Sequence, residues 1–191
     1  MAALEVEGKG EALEDVVNFS GSYITNKQKS DSIEPLLKCF GVPWIGRKAA
    51  NKGRPIEIIE HKPRPEDGST PSISVTNKSA FRTSTSVYLI GEGEISEYKR
   101  GDGKLGKMAC SVQDKGLFMR TITEEGDKVQ WVVTTLYSFE EGSEGPILRK
   151  SISFYENPAQ HAAGDAKCCV NRYFDRLPAD ASTDMIAADE K

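Results

Sequence analysis

The strongest constraint on the fold is a long series of segments in which polar and apolar residues alternate. Such alternation is typical of β-strands, because successive side chains of a strand point to opposite faces. Ten such segments follow one another, at 18–24, 55–60, 72–76, 82–90, 93–99, 104–113, 116–123, 128–139, 146–156 and 167–177. Short Gly- and Asp-containing connections separate most of them, as in hairpins. The chain is therefore predicted to be all-β, a ten-stranded antiparallel up-and-down β-barrel.

A compact helical pair at 36–50 interrupts this series after the first strand. Its first helix is indicated by apolar residues at the spacing i, i+1, i+4, namely Leu36, Leu37 and Phe40. Asp31 and Glu34 resemble a capping box at its start, Gly41 ends it, and Pro43 opens the second helix. The pair is predicted to form a helix-turn-helix lid over the barrel.

The predicted strands carry mixed polar and apolar faces. Thr83, Thr85, Val87 and Leu89 share one face of their strand. Another strand places on one face Trp131, Val133, Thr135 and Tyr137. Inward packing and pocket lining are equally good interpretations of that second face. Mixed walls favour a barrel that holds a ligand over one filled by side chains.

Charge and cysteine usage exclude several classes of function. The net charge of −4 argues against a general nucleic-acid-binding protein. No apolar run is long enough to span a membrane, and the N-terminus has no secretory signal pattern. The cysteines, at 39, 110, 168 and 169, have no disulfide-framework spacing. We therefore expect reduced thiols and a cytoplasmic protein, with a barrel domain at 17–177 between an N-terminal tail (1–16) and an acidic C-terminal tail (178–191).

Signals for catalysis are weak. His61 and His161 are predicted to lie in surface loops, far apart in the chain and without metal-ligand spacing. Cys168 and Cys169 have no nearby His-bearing motif, and in a strand they would point to opposite faces. We therefore expect no enzyme, no metal site and no cofactor.

Several short motifs occur in a recognisable order. They are Asn18-Phe19-Ser20-Gly21-Ser22-Tyr23, Leu36-Leu37-Lys38, Gly41-Val42, Arg47-Lys48-x-Ala50, Ser79-Ala80-Phe81-Arg82-Thr83, Gly91-Glu92-Gly93, Trp131, and Cys169-Val170-Asn171-Arg172-Tyr173-Phe174. Together they resemble the intracellular lipid-binding proteins, the calycin-type barrels that include the fatty-acid-binding and cellular retinoid-binding carriers. The resemblance spans roughly residues 17–177.

The resemblance implies a lipid acid held inside the barrel by Arg and Tyr. Arg172 falls on the final-strand arginine, and Phe174 replaces the tyrosine that follows it. The second arginine corresponds to Val133, or to Thr135 or Tyr137 under another count. Trp131 matches a tryptophan of the retinoic-acid carriers, and Phe81, Arg82 and Thr83 match the portal turn. On pattern alone Arg172 could instead be an outward-facing surface residue, with Arg120 as the backup cation.

The expected function is that of an intracellular carrier for a long-chain fatty acid or a retinoid-like ligand. The alternatives are a lipid sensor that binds a protein partner and a lipid-modifying enzyme in the same barrel. The resemblance also implies transient contact with anionic membranes through a basic patch, Arg47, Lys48, Lys52 and Arg54. A solvated helix face explains these charges equally well.

Overall fold

A computed structural model describes residues 17–63, 69–79, 82–91, 95–99, 105–113, 115–125, 128–142 and 145–178. The predicted N-terminal tail, the predicted C-terminal tail apart from residue 178, and the portal residue Phe81 lie outside the described residues.

The described chain forms ten antiparallel strands, as the alternating segments predict. They are β1 Gly21–Thr25, β2 Ile56–Lys62, β3 Ser72–Lys78, β4 Thr83–Leu89, β5 Ile95–Lys99, β6 Leu105–Gln113, β7 Gly116–Glu125, β8 Lys128–Gly142, β9 Gly145–Tyr155 and β10 Cys168–Arg176. The sheet order is β4-β3-β2-β1-β10-β9-β8-β7-β6-β5. Within the described residues, the pairing of β1 with β10 is the only one between strands that are distant in sequence, and Ile90 beside β4 bridges to Cys110 of β6. The barrel prediction is confirmed.

The predicted lid is also present. It consists of α1 (Glu34–Cys39) and α2 (Trp44–Lys52), between β1 and β2. The predicted capping box is wrong, because Asp31 Oδ2 accepts the backbone N–H of Asn171 at 2.7 Å instead. The Glu34 N–H is satisfied by Ser32 Oγ at 3.2 Å. Asp31 therefore fastens the approach to the lid onto β10.

A third helix, α3 (Pro158–Ala163), occupies what the sequence suggested was a long connector before the last strand. Asn157 caps it by accepting the N–H of Gln160 at 2.9 Å, and Gly164 ends it in the left-handed conformation at φ 71°. None of the helices in the described ranges is long and apolar enough to cross a membrane.

Buried apolar residues form two clusters. The larger includes Phe19, Tyr23, Ile73, Leu117 and Leu148. The smaller lies under α1, where Leu36 packs with Val133, Ile152, Phe154 and Val170. The smaller cluster therefore joins α1 to strands β8, β9 and β10.

The prediction of a surface loop at His61 is wrong. His61 lies in β2 with 6% of its surface exposed, beside the larger cluster. Its Nδ1 accepts the backbone N–H of Phe19 at 3.3 Å. Burial lowers the pKa of His61, so the neutral ring is the favoured form.

The cysteines are free thiols. Cys168 packs against the cluster under α1, and burial, followed by the influence of the neighbouring Cys39, raises the pKa of its thiol. Cys169 is exposed and lies 3.2 Å from Ser153 Oγ. The prediction that the adjacent pair points to opposite faces is confirmed.

Candidate functional site

A cavity of about 270 Å³ lies between the lid and the barrel interior. Its apolar wall comes from both lid helices, the entry to β2, and strands β9 and β10: Ile33, Leu37, Ala50, Pro55, Ile152 and Phe174. Its polar wall consists of Glu57, Asn77, Ser79, Lys150 and Arg172. A cavity with one apolar and one charged wall is suited to an amphiphilic molecule.

Strand periodicity explains why charged residues face this cavity. Lys150 lies between Leu148 and Ile152 on the inner face of β9. Arg172 lies between Val170 and Phe174 on β10, directly opposite Lys150 in the register. Because side chains two apart share a face, the apolar neighbours oblige both cations to point inward.

Glu57 of β2 is the hub of a buried polar cluster, and 1% of its surface is exposed. Its Oε1 accepts Lys150 Nζ at 2.6 Å and Asn77 Nδ2 at 3.3 Å. Its Oε2 accepts the hydroxyl of Tyr137 at 2.9 Å. A buried carboxylate is costly unless it is paired and hydrogen-bonded, and these three donors meet that requirement.

Tyr137 and Lys150 reinforce each other around this carboxylate. Burial, followed by the negative charge of Glu57, raises the pKa of Tyr137 well above its ordinary value. The phenol therefore stays protonated and remains a donor. Lys150 Nζ also lies 5.1 Å from the centroid of the Tyr137 ring, within the range of a cation–π contact.

Arg172 is the second cation of the cavity. It donates from Nη1 to the backbone carbonyl of Asp31 at 2.8 Å, which orients the guanidinium beside the approach to the lid. Burial lowers the pKa of Arg172, and the charges of Glu57 and Asp31 raise it. A guanidinium keeps its charge under these conditions, so Arg172 presents a positive group with several donors to the cavity.

The structure brings together only part of the residue set predicted from the sequence. Arg172 and Phe174 line the cavity, and Tyr137 stands behind it, bonded to Glu57. Val133 and Trp131 pack in the cluster under α1, and Thr135 lies half-buried between Met119 and Ile152 in the register. These three residues are absent from the lining of the cavity.

The described part of the predicted portal lies at the rim. Arg82 and Thr83 are exposed at the start of β4. The Arg82 N–H donates to Ser79 Oγ at 3.1 Å, and Ser79 lines the cavity. The turn therefore borders the opening, although neither of its two described predicted residues is part of the lining.

The other predicted cations lie outside the cavity. Arg120 is placed in register with Thr134. Burial, followed by the charge of Arg120, lowers the pKa of His161 in α3. Within the basic patch, Lys48 pairs with Glu34 at 3.0 Å. Arg47 donates to the carbonyl of Val42 at 2.7 Å, and Arg54 donates to the carbonyl of Thr25 at 3.3 Å. These contacts hold much of the patch against the protein.

Sequence reasoning missed Glu57, Lys150 and Asn77. A signal was present, because Glu57 shares its strand face with Ile59, and Lys150 shares its face with Leu148 and Ile152. A charged residue on an otherwise apolar strand face indicates a buried polar partner. What the signal lacks is the identity of that partner. Within the described ranges, no group of three side chains is arranged to bind a metal ion.

No family model matches the sequence, and no curated protein matches it in sequence. Similar solved structures do exist. Lipid binding protein 8 of Caenorhabditis elegans, in its apo form, has a TM-score of 0.62 and 15% identity, over 87% of this chain and 98% of that protein. Human cRBP IV has a TM-score of 0.58 and 17% identity, over 84% of this chain and 99% of its own.

A fatty acid binding protein of Schistosoma mansoni, solved in complex with arachidonic acid, has a TM-score of 0.55 and 16% identity, over 84% of this chain and 96% of its own. Each of these proteins is matched over almost its whole length. At such identities the likeness concerns the fold alone. The chain has the fold of the intracellular lipid-binding proteins.

Proposed function

We propose that this protein is a carrier that holds one lipid acid, with the acyl chain under the lid and the carboxylate at Arg172. The observation that carries the proposal is the cavity itself, in which a positive guanidinium faces an apolar wall. Arg172 binds a carboxylate through charge-assisted hydrogen bonds. The Schistosoma mansoni protein of the same fold, solved with arachidonic acid, supports an acid as the ligand.

The size of the cavity favours a slender ligand. Its volume of about 270 Å³ lies just below the usual range of ligand pockets, which begins at about 300 Å³. We therefore favour a single acyl chain over the bulkier ring of a retinoid. Burying that chain supplies about 25 cal/mol per Å² of apolar surface, and Leu37, Ile152 and Phe174 provide contacts.

The remaining predicted site residues have supporting roles in this proposal. Thr135, Val133 and Trp131 shape the barrel wall next to the chain, and Arg82 and Thr83 border the exit, with Phe81 between Ser79 and Arg82 in sequence. The carrier domain spans 17–177 and works in the cytoplasm, with which the free thiols are consistent. A carrier role implies that the ligand leaves chemically unchanged.

The lid offers a surface for ligand transfer. Trp44 and Ile45, at the start of α2, expose 60% and 75% of their surfaces. Lys48 and Lys52 lie on the same helix. Exposed apolar residues beside cations favour an anionic membrane surface, and we propose that the lid touches one when ligand enters or leaves.

The proposal is tested by titrating the purified protein with fatty acids and by native mass spectrometry. We expect one acid per protein, recovered unaltered. In the Arg172→Met variant, loss of hydrogen bonds to a charged group should weaken binding by about 10- to 100-fold. Arg176→Met is the matched control, since Arg176 lies on the same strand, is exposed, and bonds the Ser20 carbonyl.

Four outcomes would contradict the proposal. An empty barrel that takes up no fatty acid would remove the carrier function. Equal affinity losses in both arginine variants would show that Arg172 is not the residue that binds the carboxylate. A ligand recovered in chemically altered form would favour the alternative of a lipid-modifying enzyme. Ligand binding whose only effect is to change the capture of a protein partner would favour the lipid sensor.

A further inference from the structure

We propose that Glu57 is the residue that sets ligand charge, so that the cavity accepts a head group with one negative charge and discriminates against one with two. The inference rests on the proposed function, since it concerns the same cavity. It extends that function from the binding of an acid to the choice between classes of acid, such as carboxylates and phosphate monoesters.

Glu57 is a negative charge that its hydrogen bonds hold in a fixed position. Lys150, Tyr137 and Asn77 donate to both of its oxygens at 2.6, 2.9 and 3.3 Å. A carboxylate offers about four acceptor positions, so three are already occupied. A ligand cannot push Glu57 aside without leaving the Tyr137 hydroxyl and the Lys150 ammonium without this partner. Glu57 therefore keeps its position and its charge when a head group binds.

The charges that face the cavity determine which head-group charge it can neutralise. Lys150 and Arg172 contribute two positive charges, and Glu57 contributes one negative charge, so the polar wall carries a net charge of about +1. A carboxylate ligand brings this sum to zero. A phosphate monoester, with about −1.5 to −2 at neutral pH, brings it below zero. The excess negative charge is unfavourable in a partly desolvated site.

The head group is placed at Arg172 by the hydrogen-bonding capacity of the two cations. Lys150 is engaged in a 2.6 Å ion pair with Glu57 and lies over the Tyr137 ring. Within the described residues, Arg172 donates one hydrogen bond, to the Asp31 carbonyl, out of five possible donors. The anion therefore binds at Arg172, next to Lys150 in the register, and Glu57 repels any further negative charge there.

Asp31 is the other carboxylate that acts on Arg172, and it differs in its surroundings. It is exposed, and its Oδ2 accepts the N–H of Asn171 at 2.7 Å. Water and salt screen a charge at the surface, whereas Glu57 is shielded from both. The two carboxylates therefore provide a matched comparison of buried and solvated charge near one arginine.

The test compares three ligands that share one dodecyl-length alkyl chain and differ in the charge of the head group: dodecanoate, dodecyl phosphate and 1-dodecanol. Their affinities are measured by calorimetry at pH 7 for the wild-type protein, Glu57→Gln, Asp31→Asn, and the double variant Glu57→Gln with Lys150→Gln. The quantity of interest is the ratio of dodecanoate to dodecyl phosphate affinity. Thermal unfolding of each variant confirms that it is folded.

The wild-type protein should bind dodecanoate in preference to both other ligands. Glu57→Gln raises the net charge of the polar wall to about +2. The ratio of dodecanoate to dodecyl phosphate affinity should therefore shift towards the phosphate by about tenfold or more. The double variant restores the net charge of the polar wall to about +1 and should return the affinity ratio towards that of the wild type. Asp31→Asn should shift the ratio by less than Glu57→Gln.

If the wild-type protein binds dodecyl phosphate more tightly than dodecanoate, the inference is overturned. This comparison needs no variant, so it remains decisive if Glu57→Gln fails to fold. An unchanged ratio in a folded Glu57→Gln protein would overturn it as well. The failure of the proposed function looks different, because none of the three ligands would then bind the wild-type protein.

Discussion

Cys110 shows how burial alone changes the chemistry of a side chain. It lies fully buried in the larger apolar cluster, and burial raises the pKa of its thiol to about 12. Cys169 in β10 is exposed. Because the thiolate is the reactive form, we expect iodoacetamide at pH 8 to modify Cys169 readily and Cys110 only after unfolding, as followed by mass spectrometry of tryptic peptides.

The control for this experiment is Cys169→Ser, in which the rapid phase of labelling should disappear. Rapid modification of Cys110 in the folded protein would contradict the placement of this residue in the barrel core.

His61 predicts a specific dependence of stability on pH. Burial lowers its pKa in the folded state below the ordinary value of 6.5, so folding favours the neutral ring. The stabilising contribution is complete above about pH 6.5 and is lost as the pH falls through the folded-state pKa. We expect the free energy of unfolding to fall with decreasing pH in this window, by at most about 1.4 kcal/mol per pH unit from this group.

Urea denaturation between pH 7.5 and pH 5 measures this contribution as the difference between wild type and His61→Gln. The difference should be greatest at neutral pH and shrink on acidification. His161→Gln is measured in the same way, because burial and the charge of Arg120 also lower the pKa of His161, and the two variants separate the contributions of the two histidines. Parallel stability curves for wild type and His61→Gln would show that His61 does not titrate as its burial implies.

At the scale of elements, α1 contributes to stability and to binding through two adjacent leucines. Leu36 is 4% exposed and packs with Val133 and Phe154, whereas Leu37 lines the cavity. Leu36→Ala should lower the free energy of unfolding by about 2–4 kcal/mol, because it leaves a void in a packed cluster. Leu37→Ala should cost less stability and should weaken ligand binding.

The two variants serve as controls for each other, since both remove the same atoms from the same helix. Urea denaturation and fatty-acid titration of both proteins separate the two effects. A larger stability loss in Leu37→Ala than in Leu36→Ala would mean that α1 docks on the barrel through a different face.

At the scale of the whole molecule, a ligand buried between lid and barrel should stabilise the complete fold. A fatty acid present at about 100 times its dissociation constant should raise the free energy of unfolding by about 2.7 kcal/mol. For a domain of this size that corresponds to a rise in Tm of about 5–10 °C. Differential scanning calorimetry with and without ligand measures it.

The Arg172→Met protein, at the same ligand concentration, should show a smaller rise than the wild type, because its dissociation constant is larger. An equal rise in both proteins would place the ligand away from Arg172. A rise in Tm that does not depend on ligand concentration would exclude binding to the folded state as its cause.

Local signals were enough to predict most of the elements. A period of two, together with turn residues between the segments, reports the conformation of neighbouring residues, and for this reason the ten strands were predictable. The same holds for the apolar spacing of Leu36, Leu37 and Phe40, which predicts α1. The helix α3 was missed although Asn157, Pro158 and Gly164 carry start and stop signals, because a short segment without an apolar stripe has no periodic pattern.

The candidate site depends on relations that no local pattern contains. Glu57 and Lys150 are 93 positions apart, and Glu57 and Tyr137 are 80 positions apart. The sequence determined that these side chains alternate onto one face of their strands, because that follows from the strand period. Only the closure of the barrel, through the pairing of β1 with β10, decided which of them meet across the interior. Strand period is a property of neighbouring residues, whereas register and closure depend on the packing of the entire sheet.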